Sequence, residues 1–577
     1  MAMWIAFSCI VVACCLQLQM CSAYKSNMSY KPVGESPLLY RPGVDKVLNL
    51  DQETFEDTVF DSSKPILVEV YKDWCGHCRK FLPIFREFSY AVQNWNDSVQ
   101  IAVINCADLH NRKVCNGTRA HGKTTVPSMK YFHAHSTNYS ESYEFDPEHT
   151  VEAMRAHLVE KLTEEMPEKD SALVVKAVEI GENHCDSLTT VEKELWKQAS
   201  SNSVEHIALV VIEEGDDNHT NLATQLKLDL SPYKEKLEVL MLKSTSNAAE
   251  LLDVKEVPTV VLLKKGTEKP LFSGQIHLNT STEIVKHAEL KPVGSQLPNL
   301  MMEKTKPKID CDKDPEHCKE LYYVSERDML KALKVALYNE ILNEDSTEGD
   351  NFDNLKNFLQ LLIDNFPTST KRNAPRESST TTLKSSEKAH AFFKDMLEFM
   401  ESKKDRKFTS DEWNSTFIAN EEKENPFPKK SDEFEHCKGS SIEYRGFTCG
   451  LWSAFHTLTI NSYLNAKEQQ PSDKNSKGQT GELRTLPKTF HEHDNNEFPM
   501  DKSKVQKPED AFMYMWEAHN LVNNHLHGDM TEDPQFIKYQ FPPAFLCTSC
   551  KADNKKFDKE NVQKFLLEYY TNIKPHN

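Results

Sequence analysis

The chain is 577 residues long and carries a formal charge of −19, from 88 acidic against 69 basic residues. Acidic residues spread along its length argue against nucleic acid and against a polybasic membrane patch as partners. The length exceeds the ~250–300 residues that one hydrophobic core supports, so several domains are expected.

An apolar run from Ile5 to about Leu18, followed by Cys21-Ser22-Ala23, reads as a cleaved secretory signal over residues 1–23. No later stretch approaches the ~20 apolar residues a transmembrane helix needs. Seven Asn-x-Ser/Thr acceptors, at Asn27, Asn96, Asn116, Asn138, Asn218, Asn279 and Asn414, fit the same oxidising compartment. Setting aside the four leader cysteines leaves eleven of fifteen. These fall as 75/78, 106/115, 185, 311/318, 437/449 and 547/550, so five neighbouring pairs can form and Cys185 is left over.

From about Asn49 to Lys161 the pattern reads helix, strand (Ile66–Tyr71), helix, strand (Gln100–Asn105), helix, then Thr125-Val126-Pro127 and a strand (Ser128–His133). Strands alternating with helices predict an α/β domain around a central sheet. Trp74-Cys75-Gly76-His77-Cys78 sits at a strand-to-helix junction. There the first sulfur stands at a helix N-terminus, where unpaired N–H groups and the helix dipole favour a thiolate. Cys75 is therefore the candidate nucleophile and Cys78 its partner, and His77, when protonated, pushes the pair toward oxidising strength. Val-Glu-Val-Tyr, Trp-Cys-Gly-His-Cys and Thr-Val-Pro together resemble a thioredoxin domain of the protein disulfide isomerase type. That resemblance implies a cis Pro127 beside the active pair and a buried Glu69 that helps move protons. Read without it, Glu69 is an ordinary acid on a half-exposed strand.

Residues from about Ser171 to Leu290 repeat the outline, with strands at Ile207–Glu213, Leu237–Lys243 and after a second Val257-Pro258, but with no Cys-x-x-Cys. A redox-silent thioredoxin-like domain is expected. After a linker at about Pro292–Pro307, Leu321–Phe366 has helical spacing of apolar residues, and the polar stretch Thr368–Glu387 reads as a loop or disordered insert. Cys311 and Cys318 most simply form a small staple.

The C-terminal block reads Arg445-Gly446-Phe447-Thr448-Cys449-Gly450-Leu451-Trp452, then Phe455-His456-Thr457-Leu458-Thr459, and later Trp516-Glu517-Ala518-His519-Asn520-Leu521-Val522-Asn523 and Cys547-Thr548-Ser549-Cys550. Trp452 and His456 fall four apart on one helix face; taken alone, such a pair is usually core. In combination the block resembles the flavin-binding Erv-type domain of quiescin sulfhydryl oxidases, and the domain order matches that family too. The resemblance implies a multidomain chain: a thioredoxin domain (45–165), a redox-inactive thioredoxin-like domain (171–295), a helical linker region (310–430) and an all-α Erv-type flavin-binding helical bundle (431–567). It implies FAD contacts from Arg445, Trp452, His456, Trp516, His519, Asn520, Val522, Asn523, Leu526 and Lys538. It also implies an accessory redox pair at Cys547/Cys550 and structural disulfides 106–115, 311–318 and 437–449, with no metal site. A zinc half-site at Cys547/Cys550 is the alternative from ligand type, although no second pair completes four ligands.

One departure matters. The family carries a further Cys-x-x-Cys against the flavin, yet the span Leu486–Asn520 contains no cysteine. Substitution by Cys547–Cys550, a missing exon, or loss of oxygen-coupled turnover each account for the gap. The expected function is a flavin-linked sulfhydryl oxidase of the secretory pathway (Golgi or endoplasmic reticulum lumen) and extracellular space. It would oxidise dithiols of reduced or unfolded secretory proteins with oxygen reduced to hydrogen peroxide. The alternative is a protein disulfide isomerase-like oxidoreductase whose Erv-type portion is structural.

Overall fold

The computed structural model describes residues 28–119, 125–165, 173–180, 187–267, 269–294, 309–311, 313–371, 380–429, 431–468, 507–529, 531–551 and 556–576. The leader, Asn27, Cys185 and the first part of the cysteine-free span lie outside them.

The first unit is a five-stranded sheet in the order Leu48–Leu50, Gln100–Asn105, Ile66–Tyr71, Ser128–Phe132, Ser142–Glu144. The first three strands run parallel, Ser128–Phe132 runs antiparallel to Ile66–Tyr71, and Ser142–Glu144 runs antiparallel to Ser128–Phe132. Strand Ile66–Tyr71 is central and buried along its whole length, which matches its continuous apolar run. Its one acid, Glu69, pairs in register with Val103 and Met129 and is 0% exposed, so the half-exposed reading of this residue is corrected.

The second unit repeats the sheet in the order Phe272–Gln275, Thr259–Lys264, His206–Ile212, Leu237–Lys243, Lys176–Ala177. The two units are joined by a buried ion pair. Arg155 forms paired hydrogen bonds to Asp229, at 3.1 and 2.9 Å, with its guanidinium 4.7 Å over the Trp95 ring, while Trp95 Nε1 donates to the same carboxylate at 2.8 Å. Charges taken out of water hold this way only when hydrogen bonds meet the carboxylate on several sides, as here.

The helical region forms one hydrophobic core running from Val324 to Ile573. Helices Gly349–Asn365, Lys384–Ser402 and Ser410–Glu424 thus share their packing with Gly446–Glu468, Pro508–Leu526 and Lys559–Thr571, across the division expected near residue 430. Helix Glu326–Lys334 packs on Gly446–Glu468 so closely that a Cβ on Gly450 would lie 2.5 Å from the Asp328 carbonyl oxygen. In the stretch expected as a loop or insert, Ser369–Lys371 pairs antiparallel with Thr380–Thr382, and a helix begins at Lys384. The expectation is corrected there: the polar composition hid strand pairing and a helix start whose buried residues are Ser386, Ala389 and Phe392.

No helix among the described residues is long and apolar enough to cross a membrane.

Candidate redox and cofactor site

Helix Gly76–Ala91 begins one residue after Cys75, which occupies the N-cap position without a side-chain cap hydrogen bond. The helix start therefore leaves its N–H groups for sulfur. Both cysteines are free and buried. Cys75 is drawn down to about 7, first by the hydrogen bond from the Cys78 thiol, then by the N–H groups of Cys78 and His77 and the charge of Lys72, against the opposing cost of burial. Burial and the neighbouring Cys75 push Cys78 far above the ordinary thiol range. One sulfur is thus a thiolate near neutral pH and the other holds its proton.

Burial raises Glu69 to about 8, a hydrogen bond from Tyr40 opposes this, and the Cys75 charge adds to the rise. Its charge is also felt at Cys78, which places a carboxyl that titrates near neutrality beside the sulfur that must lose or gain a proton. The Val126–Pro127 bond is cis, and Cys75 Sγ lies 3.6 Å from the Val126 carbonyl oxygen.

The motif's outer flank rests on the helical region. The Trp74 ring meets Phe447 edge-on at 5.2 Å, Lys72 Nζ lies 2.5 Å from Glu340, and Lys80 Nζ is 3.7 Å from Asp529. Arg119–Glu344 at 2.9 Å and Arg112–Asp411 at 3.3 Å extend the contact. In all four ion pairs the first unit supplies the cation.

The residues expected to hold a flavin nucleotide converge on one side of the helical core. Trp452 and His519 stack face to face, with centroids 4.1 Å apart and planes 5° from parallel. His456 Nε2 and His519 Nδ1 lie 2.9 Å apart, and the His456 ring stacks on Tyr570 at 4.7 Å. Burial drives both imidazoles below their usual range, His456 to about 3, so they remain neutral. Trp516 Nε1 and Asn520 Nδ2 both donate to the Phe541 carbonyl, and Asn523 Nδ2 donates to Tyr539 O, so these three side chains pin the segment after Lys538. Val522 is 37% exposed and turned to solvent, while Leu526 is half-buried at the helix end. Arg445 and Lys538 are both lowered first by burial, and the charges of Arg445 and of Arg79 in the first unit lower Lys538 further.

This geometry allows a test of fit for FAD. Arg445 Nη1 and His456 Nδ1 are buried and have no hydrogen-bond partner among the described residues. The nearby Asp533 is occupied by the backbone N–H groups of Ser440, Gln535 and Phe536. The unpartnered Nη1 of Arg445 suits a phosphate oxygen, and the flat Trp452 and His519 rings suit aromatic partners. The residues present fit the group.

Four disulfides bridge the described residues: Cys106–Cys115, Cys311–Cys318, Cys437–Cys449 and Cys547–Cys550. Cys547–Cys550 lies in the helical core, with both residues buried. Sequence reasoning missed Tyr40, Lys72, Arg79 and His436. Lys72 and Arg79 flank the motif in sequence. Tyr40 precedes the first strand and nothing in its neighbourhood marked it. His436, beside Cys437, lies with Nδ1 2.6 Å from the Leu321 carbonyl oxygen and Nε2 3.3 Å from Arg445 Nη2.

Residues 46–151 match the Thioredoxin family model, and residues 449–542 match the Erv1 / Alr family model. Sulfhydryl oxidase 2 of Homo sapiens is 24% identical over 559 residues, covering 93% of this chain and 74% of that protein. Sulfhydryl oxidase 1 of Cavia porcellus is 25% identical over 545 residues, covering 91% and 81%. A solved sulfhydryl oxidase fragment of human QSOX1 aligns at 25% identity with a TM-score of 0.35, over 44% of this chain and 98% of the fragment. Two family models in the expected order, together with sulfhydryl oxidase relatives aligned over nine-tenths of the sequence, support the resemblance to the quiescin sulfhydryl oxidase family.

Proposed function

We propose that the chain is a flavin-linked sulfhydryl oxidase of the quiescin type, acting on reduced or unfolded proteins of the secretory pathway and the extracellular space. The observation that carries this reading is the pairing of a low-pKa Cys75 at a helix start with a buried, proton-holding Cys78, in a chain that also has an Erv-type flavin region.

In the oxidising direction a substrate thiolate attacks Cys75 of the Cys75–Cys78 disulfide. The sulfur–sulfur bond breaks, and Cys78 leaves with the electron pair. Glu69, which holds its proton up to about pH 8, supplies that proton to Cys78. A second substrate thiolate then attacks the mixed disulfide at the substrate sulfur and releases Cys75, which the helix start and Lys72 stabilise as a thiolate.

When bound, FAD supplies the two-electron acceptor for the enzyme's dithiol and passes the electrons to oxygen, giving hydrogen peroxide. Arg445 and Lys538 would hold its phosphates, with Trp452, His456 and His519 on its rings and Trp516, Asn520 and Asn523 fixing the strand of chain beneath. Val522, Leu526 and the pair Cys547/Cys550 belong to the proposed site and accessory redox set by family correspondence.

A second reading, a disulfide isomerase-like carrier with a structural helical region, keeps its place because Leu486–Asn520 has no cysteine. Purified protein that is yellow and consumes oxygen with a reduced-protein substrate, with both the consumption and its peroxide product lost in Cys75→Ser, supports the oxidase. Colourless protein that still exchanges disulfides supports the carrier.

A further inference from the structure

In the helical region, the segment touching the Trp-Cys-Gly-His-Cys motif leads into Cys449, whose disulfide to Cys437 is one of those expected to be structural. Trp74 packs on Phe447, and the Glu443 carboxylate acts on Arg79, so the flank of Cys75 meets the start of the helix that carries Cys449. Cys449 lies two residues after Phe447.

Its surroundings repeat those of Cys75. Cys449 lies in the first turn of the 23-residue helix Gly446–Glu468, where N–H groups and the helix dipole favour a thiolate. Arg445 Nη2 lies 3.8 Å from its sulfur, as Lys72 supplies a cation near Cys75. Its partner Cys437 is fully buried, as Cys78 is. The Cys437 backbone is held in place, since its N–H donates to Asp328 Oδ2 at 2.8 Å. In the other three described disulfides both residues are buried; Cys449 alone is half-exposed.

We propose that Cys437–Cys449 is a second redox disulfide, which accepts the electron pair of the reduced Cys75/Cys78 dithiol. The Cys75 thiolate attacks the sulfur of half-exposed Cys449; a Cys75–Cys449 bond forms, the Cys437–Cys449 bond breaks, and Cys437 leaves as thiolate. Cys78, giving its proton to Glu69, attacks Cys75 and releases Cys449 as thiolate; one proton enters from solvent at half-exposed Cys449 and is shared with the Cys437 thiolate. The Cys75–Cys78 pair is oxidised and the Cys437/Cys449 pair reduced, two electrons having crossed from one unit to the other. The reduced pair then stands beside Arg445, a residue of the proposed flavin site. This inference deepens the oxidase reading and rests on it only for the onward fate of the electrons; the exchange itself needs sulfur alone.

The test treats the full-length protein with stoichiometric reduced dithiol protein, quenches with N-ethylmaleimide at intervals and maps labelled peptides. Labelling of Cys437 and Cys449 should follow that of Cys75 and Cys78, slow at least tenfold in Cys75→Ser, and leave Cys106, Cys115, Cys311 and Cys318 unlabelled. In a Cys78→Ser/Cys437→Ser variant, mild oxidation should link Cys75 to Cys449. Unlabelled Cys437 and Cys449 beside a fully labelled motif, equal labelling rates in Cys75→Ser, or a link from Cys75 to Cys547 or Cys550 overturns the proposal. Oxygen consumption by the unaltered protein is followed in parallel: its absence with Cys75-dependent labelling removes the oxidase reading alone, and its presence without labelling removes this inference alone.

Discussion

The two thioredoxin-like units share a backbone and differ in chemistry, and sheet register aligns them residue by residue. Val70 pairs with Ser128 directly after cis Pro127, and Val211 pairs with Thr259 directly after cis Pro258. Counting from that point, Val210 stands where the first unit has Glu69, Glu213 where it has Lys72, Asp216 where it has Cys75 and His219 where it has Cys78. The helix start that offers its N–H groups to sulfur in one unit is closed by a carboxylate in the other: Asp216 accepts from the His219 N–H at 3.0 Å. The second unit therefore keeps the scaffold, replaces a reactive anion by a capping one, and fills the proton-relay position with a methyl-bearing side chain. A redox site in this fold is a local exception to good packing and capping, held in place by the same frame.

Substitutions test this difference between the two units. The largest effect is expected from Cys75→Ser, which should bring disulfide exchange with a reduced-protein substrate down to the uncatalysed background. Val210→Glu should then install in the second unit the buried acid that the first tolerates. Val210 is 0% exposed, so the variant should lose on the order of 3–5 kcal/mol in denaturant unfolding, because the new carboxyl has no counterpart of Tyr40. Glu69→Gln should slow exchange by about 100-fold, the lower end of general acid–base effects.

The same variant has a stability signature. Glu69 in the folded chain titrates near 8, above its unfolded value, so the native state binds the extra proton between roughly pH 4.5 and 8 and loses stability as pH rises through that window. Glu69→Gln should therefore gain stability over the unaltered chain at pH 8 and gain little at pH 4. Iodoacetamide alkylation of reduced protein should follow Cys75 with a midpoint at about pH 7, and Lys72→Glu, copying Glu213, should move the midpoint upward. The smallest effect is Asp216→Ala, which removes a cap worth about 1 kcal/mol and should leave exchange unchanged.

Much of this was legible in the sequence because the relevant signals are local. The apolar run before Trp-Cys-Gly-His-Cys gave the central strand, the motif gave the helix start, and the second Val-Pro gave the repeat. Glu69 was legible as a candidate, but its burial depends on strands Gln100–Asn105 and Ser128–Phe132, which no local pattern specifies. Tyr40, its hydrogen-bond partner, is 29 residues away and was invisible for that reason. Arg445, Trp452, His456 and His519 entered as candidates through a resemblance carried by sequence motifs, and the fold brings Trp452, His456 and His519 together. That Trp516, Asn520 and Asn523 bind backbone at 539–541 is a long-range contact and was not. The shared core across residue 430 was missed because helical periodicity shows that a face is buried and is silent about which helix covers it.

The four ion pairs described between the thioredoxin unit and the helical region all point the same way, cation to anion, so ionic strength should act on this contact. Asp411, Glu344 and Lys80 are 88%, 61% and 60% exposed, so dissolved ions reach these pairs and weaken them at a screening length of about 8 Å in physiological salt. Raising salt should lengthen the time the Cys75 face spends open to large clients and shorten the time it spends seated on Phe447. Loading by clients and discharge toward the helical region would then respond to salt with opposite signs, and overall turnover should peak at an intermediate ionic strength.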